Sequence, residues 1–146
     1  MAEGDPGRQD QGGMMSDKKP DAELETFRDS YVEMFGTLPP LPAGRFAFSG
    51  EVNPEFLRDA ERLRAKAFYN KSFDMKTTQL MLFGMLLVEH NQIAAQAHAL
   101  AARRAGASWE ELHTVVELAS ATGALYPFNQ GSALLNGMKE KEAGRT

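Results

Sequence analysis

The chain has 146 residues, a net charge of −4 and no cysteine, which suits one domain with a hydrophobic core and excludes disulfides, thiolate metal sites and thiol redox chemistry. No basic segment favours a nucleic-acid partner, and no apolar run reaches the ~18 residues of a membrane span, so we expect neither nucleic acid nor membrane as a partner. The N-terminus lacks the residue order of a signal peptide, and we therefore expect a cytoplasmic protein.

The first half of the chain predicts a tail and two helices joined by an extended segment. Residues 1–20 are rich in Gly, Asp, Lys and Pro and show no apolar period, which is typical of disorder. Apolar residues then recur at helical spacing over residues 21–35. Three prolines within residues 37–50 predict an extended segment, because proline interrupts a helix interior. Asn53 and Pro54 predict the start of the second helix.

The middle of the chain predicts two helices separated by a polar junction. Asp74 is placed to cap a helix whose residues 80–88 are apolar on all sides. Such a helix is buried on all sides, which in a chain this short usually needs a neighbouring subunit. One continuous helix over residues 75–104 would be about 45 Å long, which is too long for a compact domain of this size. We therefore expect a break at residues 89–91, with Asn91 capping the next helix.

The last part of the chain predicts two more helices. Ser108 and Glu111 have the spacing of a capping box, and the helix that follows is expected to end at Gly123. A final helix is expected to start at Tyr126 and Pro127. In total we predict an all-α fold of five or six helices, forming a single domain over residues 21–139 with residues 140–146 frayed.

The polar junction holds residue types that perform acid–base chemistry. Glu89 and His90 follow the apolar run directly, and His98 lies further along the next helix. Histidine titrates near neutral pH and burial raises the pKa of a carboxyl, so we interpret these three as candidate catalytic residues. The alternatives are structural: a buried, hydrogen-bonded imidazole for His98, a helix-junction cap for His90, and a solvent-facing or subunit-bridging carboxylate for Glu89.

Five further residues are candidates for contact with a small substrate. They are Gln79, Asn91, Ala94, Arg45 and Tyr126. Two offer amide hydrogen bonds, the small Ala94 leaves room for a flat ligand, and Arg45 could hold a carboxylate if the Pro-rich segment covers a cavity. Packing or surface exposure is the alternative for each. His90 and His98 would be about 12 Å apart along a helix axis, so we expect no metal site within one chain; a metal shared between subunits is the alternative.

The order of these elements resembles the carboxymuconolactone decarboxylase family, which also contains the alkylhydroperoxidase-D proteins. The shared pattern is Asp-x-Lys-x-x-x-Leu, a long apolar helix, a polar junction, a histidine, seven residues and Gly-x-Ser-x-x-Glu-Leu, followed by a helix and a glycine. Its elements here are Asp74, Lys76, Leu80, His98, Gly106, Ser108, Glu111, Leu112 and Gly123. The resemblance covers about residues 54–138 and implies an all-α, alkylhydroperoxidase-D-like bundle that assembles into intertwined trimers or hexamers.

The resemblance also bears on activity. The peroxidase branch carries a C-x-x-C pair whose positions here are Asn91 and Ala94, its relay glutamate falls on Gln79, and its relay histidine falls on Ile93. Without thiolates, thiol-dependent peroxide reduction is excluded. The decarboxylase branch lacks these cysteines too. The resemblance therefore implies a lyase of aromatic-compound metabolism that needs no cofactor and decarboxylates a small ring-derived carboxylate or lactone, with His98 in acid–base catalysis.

Two alternatives stay open at this point. The same acid–base groups could perform an isomerisation, a retro-aldol cleavage or a cyclisation, since each needs only a proton carrier and a binding pocket. The missing cysteines, with Gln79 in place of the relay glutamate, also fit an oligomeric binding or scaffold protein that kept the fold and lost the chemistry.

Overall fold

The computed structural model describes residues 21–144, which form six helices and no strand and thereby confirm the predicted all-α fold. The helices are α1 (Ala22–Phe35), α2 (Pro40–Val52), α3 (Pro54–Phe68), α4 (Met75–Val88), α5 (Gln92–Arg104) and α6 (Trp109–Ala143). The tail predicted for residues 1–20 lies outside the described residues, as do the last two residues. No helix in the described part is long and apolar enough to span a membrane.

Side-chain caps determine where several helices begin, and the predicted caps are confirmed. Asp74 accepts the backbone amide of Thr77 at 2.7 Å at the start of α4. Ser108 and Glu111 form a reciprocal capping box at the start of α6, with distances of 3.0 and 2.8 Å. Such caps provide acceptors for amides that have no partner within the helix.

The prediction of an extended segment after α1 was wrong, because residues 40–52 form α2. Pro40 and Pro42 lie in the first turn, where the backbone N–H groups have no partner inside the helix. The first helical bond runs from the amide of Ala43 to the carbonyl of Pro39 at 2.9 Å, so neither proline removes a bond. The only large apolar side chain that α2 buries is that of Phe46.

The prediction of two helices at the C-terminal end was also wrong, because α6 is a single helix of 35 residues. At 1.5 Å per residue it is about 52 Å long. Gly123 and Pro127 lie within it; the proline, which has no N–H, leaves the carbonyl of Gly123 without its usual donor. All residues from 120 to 130 are exposed, so water can reach that carbonyl. The helix continues to Ala143, beyond residue 139 where we expected the domain to end.

Two clusters of buried apolar side chains hold the bundle together. The first joins α4, α5 and the start of α6 and contains Phe83, Ala95, Ala102, Ala107 and Leu112. The second joins α1, α2 and α3 and contains Leu24, Tyr31, Phe46 and Leu57. In the first cluster, Ala95 and Ala102 of α5 pack with Phe83 of α4. The break predicted between these two helices is confirmed, and Asn91 caps α5 by accepting the amide of Ala94 at 3.2 Å.

Candidate active site around His98

His98 lies on the inner face of α5, where its imidazole packs between two aromatic rings. Its side chain is only 8% exposed. The ring of Phe35 from α1 meets it edge-to-face at a centroid distance of 5.2 Å, and the ring of Phe68 from α3 does the same at 5.5 Å. The imidazole therefore sits in a largely apolar environment formed by three helices.

One hydrogen bond fixes the orientation of this ring. Nδ1 of His98 lies 2.6 Å from Oε1 of Gln79, a residue of α4 with no exposed surface. The amide nitrogen of Gln79 lies 3.2 Å from the sulfur atoms of both Met34 and Met75. A thioether sulfur can only accept, so the amide NH₂ group must face the sulfurs and Oε1 must face His98. The amide oxygen in turn requires a proton on Nδ1, which leaves the lone pair of the neutral ring on Nε2.

The environment of His98 favours its neutral form. Burial and, to a smaller extent, the positive charge of Arg64 together lower the pKa of His98 from 6.5 to about 4. At neutral pH the resting imidazole is therefore uncharged. It is a proton acceptor at Nε2, and it becomes a proton donor only when another charge enters the site.

A buried cluster of charged residues includes Arg64, whose positive charge acts on the imidazole. The carboxylate of Glu61, 1% exposed, accepts from Arg45 at 2.5 Å and from Nε of Arg64 at 2.8 Å. The hydroxyl of Tyr31 donates to it at 3.2 Å, and burial raises the pKa of Tyr31, so this phenol stays neutral. Nη2 of Arg64 donates to the hydroxyl of Ser30 at 2.6 Å, and the guanidinium stacks 4.0 Å above the ring of Tyr31.

Sequence reasoning missed Glu61, Arg64 and Tyr31. A signal was present, because Leu57, Glu61, Arg64 and Phe68 occupy i, i+4, i+7 and i+11 of one helix. Charged residues on the same stripe as apolar ones indicate buried charges with partners elsewhere. Those partners come from α1 and α2, 16 to 34 residues away in sequence.

The structure brings together only part of the predicted site. His98 and Gln79 are in contact, but Glu89, His90 and Asn91 are exposed in the turn between α4 and α5. In the described residues, no hydrogen bond or ring contact joins those three to His98. Their predicted roles remain predictions.

The other predicted residues are scattered. Arg45 lies on α2, where its guanidinium bonds Glu61 and Tyr31, and there is no extended lid. Ala94 is half-buried on α5. Tyr126, 70% exposed, lies on the outer half of α6.

Two cavities are relevant to ligand binding. The larger is an open groove of about 580 Å³ between α4 and α6, lined mainly by apolar side chains such as Leu80, Met81, Met85 and Val115. The smaller, of about 180 Å³, is lined by Phe68, Asn70, Phe73, Thr78 and Leu82 among others. Phe68 is thus shared between this smaller cavity and the imidazole of His98. Residues 21–144 contain no cluster of three or more His, Asp or Glu side chains that could hold a metal ion.

Comparison with known proteins identifies the family of the chain. The chain matches the family model of the carboxymuconolactone decarboxylase family over residues 54–136, more than half of its length. It matches no curated protein and no solved structure. The matched region contains α3, α4, α5 and most of α6, and therefore includes Gln79, His98 and the charged pair of α3. The chain belongs to the carboxymuconolactone decarboxylase family.

Proposed function

We propose that the protein is a cofactor-independent lyase that decarboxylates a small ring-derived carboxylate or lactone, with His98 as the residue that moves the proton. Membership of the family supports a decarboxylase-like or alkylhydroperoxidase-D-like activity. The absence of cysteine from the sequence excludes the thiol-dependent version. The observation that carries the proposal is the 2.6 Å contact between His98 and Gln79 in a buried, mostly apolar site, which leaves Nε2 of the imidazole free to act.

The reaction proceeds by loss of carbon dioxide followed by protonation. The bond between the carboxylate carbon and the ring carbon breaks, and its electron pair stays on the ring carbon, delocalised into an adjacent carbonyl. An apolar site favours this step because it destabilises a localised carboxylate more than a delocalised charge. Nε2–H of the protonated imidazole then donates its proton to the ring carbon, and His98 returns to its neutral form.

The resting pKa of His98 is too low for this acid role, so the substrate must change it. An anion that enters the site offsets the positive charge of Arg64 and favours protonation of the imidazole. Proton uptake at Nε2 is thereby coupled to substrate binding. Gln79 positions the ring but is not a proton relay, because its amide does not gain or lose protons near neutral pH.

A second candidate function is a non-catalytic binding protein. It is favoured by the same amide, since Gln79 gives His98 no charged partner that would stabilise an imidazolium. Isomerisation, retro-aldol cleavage and cyclisation use the same proton transfer as the decarboxylation, and they differ in releasing no carbon dioxide.

The test is a panel of ring-derived carboxylic acids and lactones, assayed for release of carbon dioxide and for new products. His98→Gln should lower kcat by at least about 100-fold, the usual contribution of a general acid or base. His113→Gln is the matched control, because His113 is 73% exposed on α6, and its turnover should stay within about twofold of the wild type. Equal turnover by both variants would reject the role of His98. Binding of acids without turnover would favour the binding protein, and turnover without carbon dioxide would favour the other reactions.

We also propose that the chain forms a homo-oligomer, a trimer or hexamer as the resemblance implies. The second half of α6 carries large apolar side chains that are more than half exposed, namely Leu125, Tyr126, Phe128, Leu134, Leu135 and Met138. The groove between α4 and α6 is also apolar and open. An exposed apolar helix and an open apolar groove on one chain favour a second copy as the occupant, with its α6 laid against this groove.

Light scattering on the purified protein tests this assembly. The wild type should have at least three times the mass of one chain, and Leu135→Glu should reduce that mass because it places a charge in the apolar contact. Lys139→Glu, an exposed change on the same helix, is the control and should not alter the mass. A wild-type monomer at micromolar concentration would contradict the proposal.

A further inference from the structure

We propose that Arg64 is the residue that anchors the ligand of this site, a small carboxylate, through Nη1, and that the ligand reaches it past the ring of Phe68. This inference rests on the proposed function in that the carboxylate is taken to be that of the substrate. It assigns a binding role to a residue that sequence reasoning did not single out.

Arg64 has one hydrogen-bonding group left over. Nε donates to Glu61 at 2.8 Å and Nη2 donates to Ser30 at 2.6 Å. Within residues 21–144, Nη1 of Arg64 is the one side-chain nitrogen or oxygen that is fully buried and has no hydrogen-bond partner. An unpaired donor on a buried charged group is unfavourable, so its presence indicates a partner that binds there.

The charged side chains around Arg64 carry one more positive than negative charge, which favours binding of an anion. Two guanidinium groups, those of Arg45 and Arg64, share the single carboxylate of Glu61. The other group that contacts this carboxylate, Tyr31, is neutral. The three charged groups therefore sum to one positive charge, which is only partly screened by water because the side chain of Arg45 is 42% exposed and that of Arg64 is 11% exposed. Buried charges are normally paired, and a monoanionic carboxylate would complete this cluster.

Phe68 connects this donor with both the imidazole and a cavity. Its ring lies 5.7 Å from the guanidinium of Arg64 and 5.5 Å from the ring of His98. It also lines the cavity of about 180 Å³. The proposed route for the ligand therefore runs past Phe68, whose rotation would open a path from the cavity towards the guanidinium of Arg64 and the imidazole of His98.

Arg64 suits this role better than Arg45, which we expected from the sequence to hold a carboxylate. Nη2 of Arg45 contacts both Glu61 and Tyr31, and its side chain is 42% exposed, so water screens its charge. The guanidinium of Arg64 is buried and stacked on Tyr31 at 4.0 Å, which fixes the direction of its donors. A fixed, desolvated donor gives the stronger and more specific contact with a carboxylate.

The experiment measures binding of benzoate and of its neutral analogue benzamide to the full chain by calorimetry. Benzoate should bind with a saturable isotherm, and benzamide should bind at least about tenfold more weakly, as should benzoate to Arg64→Met. Arg62→Met is the matched control, because Arg62 lies on the same helix, is half exposed and pairs with Glu23. Its affinity for benzoate should stay within about twofold. Equal affinity of Arg64→Met and wild type, or no benzoate binding to wild type, would overturn the inference.

Two further measurements test the inference without Arg64→Met, in case this variant does not fold. In the wild type, saturating benzoate should raise the pKa of His98, followed by NMR of histidine-labelled protein, whereas benzamide should not. Phe68→Ala should speed the association of benzoate by opening the path, while Phe56→Ala, an exposed change on the same helix, should not. An unchanged pKa of His98 would count against the inference, and so would an unchanged association rate.

Failure of this inference can be told apart from failure of the proposed function. His98→Gln should keep benzoate affinity within about threefold of the wild type while it loses turnover, because the anion is held by Arg64. Turnover that depends on His98 but not on Arg64 would overturn the carboxylate-binding role of Arg64 and would leave the proposed lyase activity intact. Benzoate binding that depends on Arg64, without turnover of any acid, would support the anchor and overturn the lyase.

Discussion

Acidification should destabilise the protein through His98, and His98→Gln should remove that effect. The pKa of His98 is about 4 in the folded chain, against 6.5 for an ordinary histidine. Between these two values the unfolded chain binds a proton that the folded chain does not, so stability falls as the pH falls from 6.5 to 4. Below pH 4 both forms are protonated and the loss is complete. At about 1.4 kcal/mol per pKa unit, the total is about 3 kcal/mol.

Urea unfolding followed by circular dichroism measures this effect at pH values from 4 to 8. The free energies of unfolding of wild type and His98→Gln should converge by about 3 kcal/mol between pH 7 and pH 4. Carboxyl groups with lowered pKa values, such as Asp21, Asp74 and Glu111, also make both proteins less stable in acid. Their contributions are equal in the wild type and in His98→Gln, so they cancel when the two free energies of unfolding are subtracted. All curves need one protein concentration, because an oligomer gains stability by mass action. Parallel curves for the two proteins would refute the account of a buried, neutral imidazole.

Three other predictions concern single positions and use the same unfolding assay. Glu61→Gln should lower the free energy of unfolding by about 3–5 kcal/mol, because it leaves two guanidinium groups without their carboxylate. The control Asp59→Asn, on the exposed face of the same helix, should lower it by less than about 0.5 kcal/mol. Equal losses in the two variants would contradict the buried cluster. Ser108→Ala should lower the free energy of unfolding by about 1 kcal/mol, because it removes the cap of α6. Thr114→Ala, an exposed change on the same helix, is the control, and an equal or larger loss in this control would count against the cap. His90→Gly should stabilise by about 1 kcal/mol, because His90 has a φ of 58° that glycine adopts without strain, and a net loss would argue against that turn conformation.

Local signals in the sequence were sufficient for most helix starts. The caps Asp74, Asn91 and Ser108 were all predicted, because a cap depends only on residues within one turn of it. The break between α4 and α5 was predicted because one continuous helix over residues 75–104 would be too long for a compact domain of this size. The all-α class followed from helical spacing in most segments after residue 20, and the resemblance pointed to the family that the comparison then supported.

Proline misled the prediction twice, for different reasons. In α2, Pro40 and Pro42 fall in the first turn, where proline is compatible with a helix, and the sequence does not say which turn a proline occupies until the start is known. In α6, Pro127 lies in an exposed stretch, where water can replace the missing bond. The helix therefore continues through a residue that usually ends one.

The candidate site was only partly predictable because its contacts span the chain. Gln79 and His98 were both candidates, but their contact joins two helices across 19 residues. The partners of Glu61 lie up to 30 residues away, and nothing local to α3 identifies them. Glu89 and His90 were candidates because they lie at the polar junction directly after an apolar run; in one chain, that run leaves Met85 and Val88 exposed to solvent beside them.

The most direct test of the central claim is the protonation state of His98, observed by nitrogen NMR of protein labelled at the histidine ring. At pH 7 we expect a neutral imidazole with its proton on Nδ1, held by Gln79, and an unprotonated Nε2. Gln79→Leu should disturb this pattern, because it removes the oxygen that selects it. A proton on Nε2 instead, or a charged imidazolium at pH 7 in the ligand-free wild type, would contradict the account.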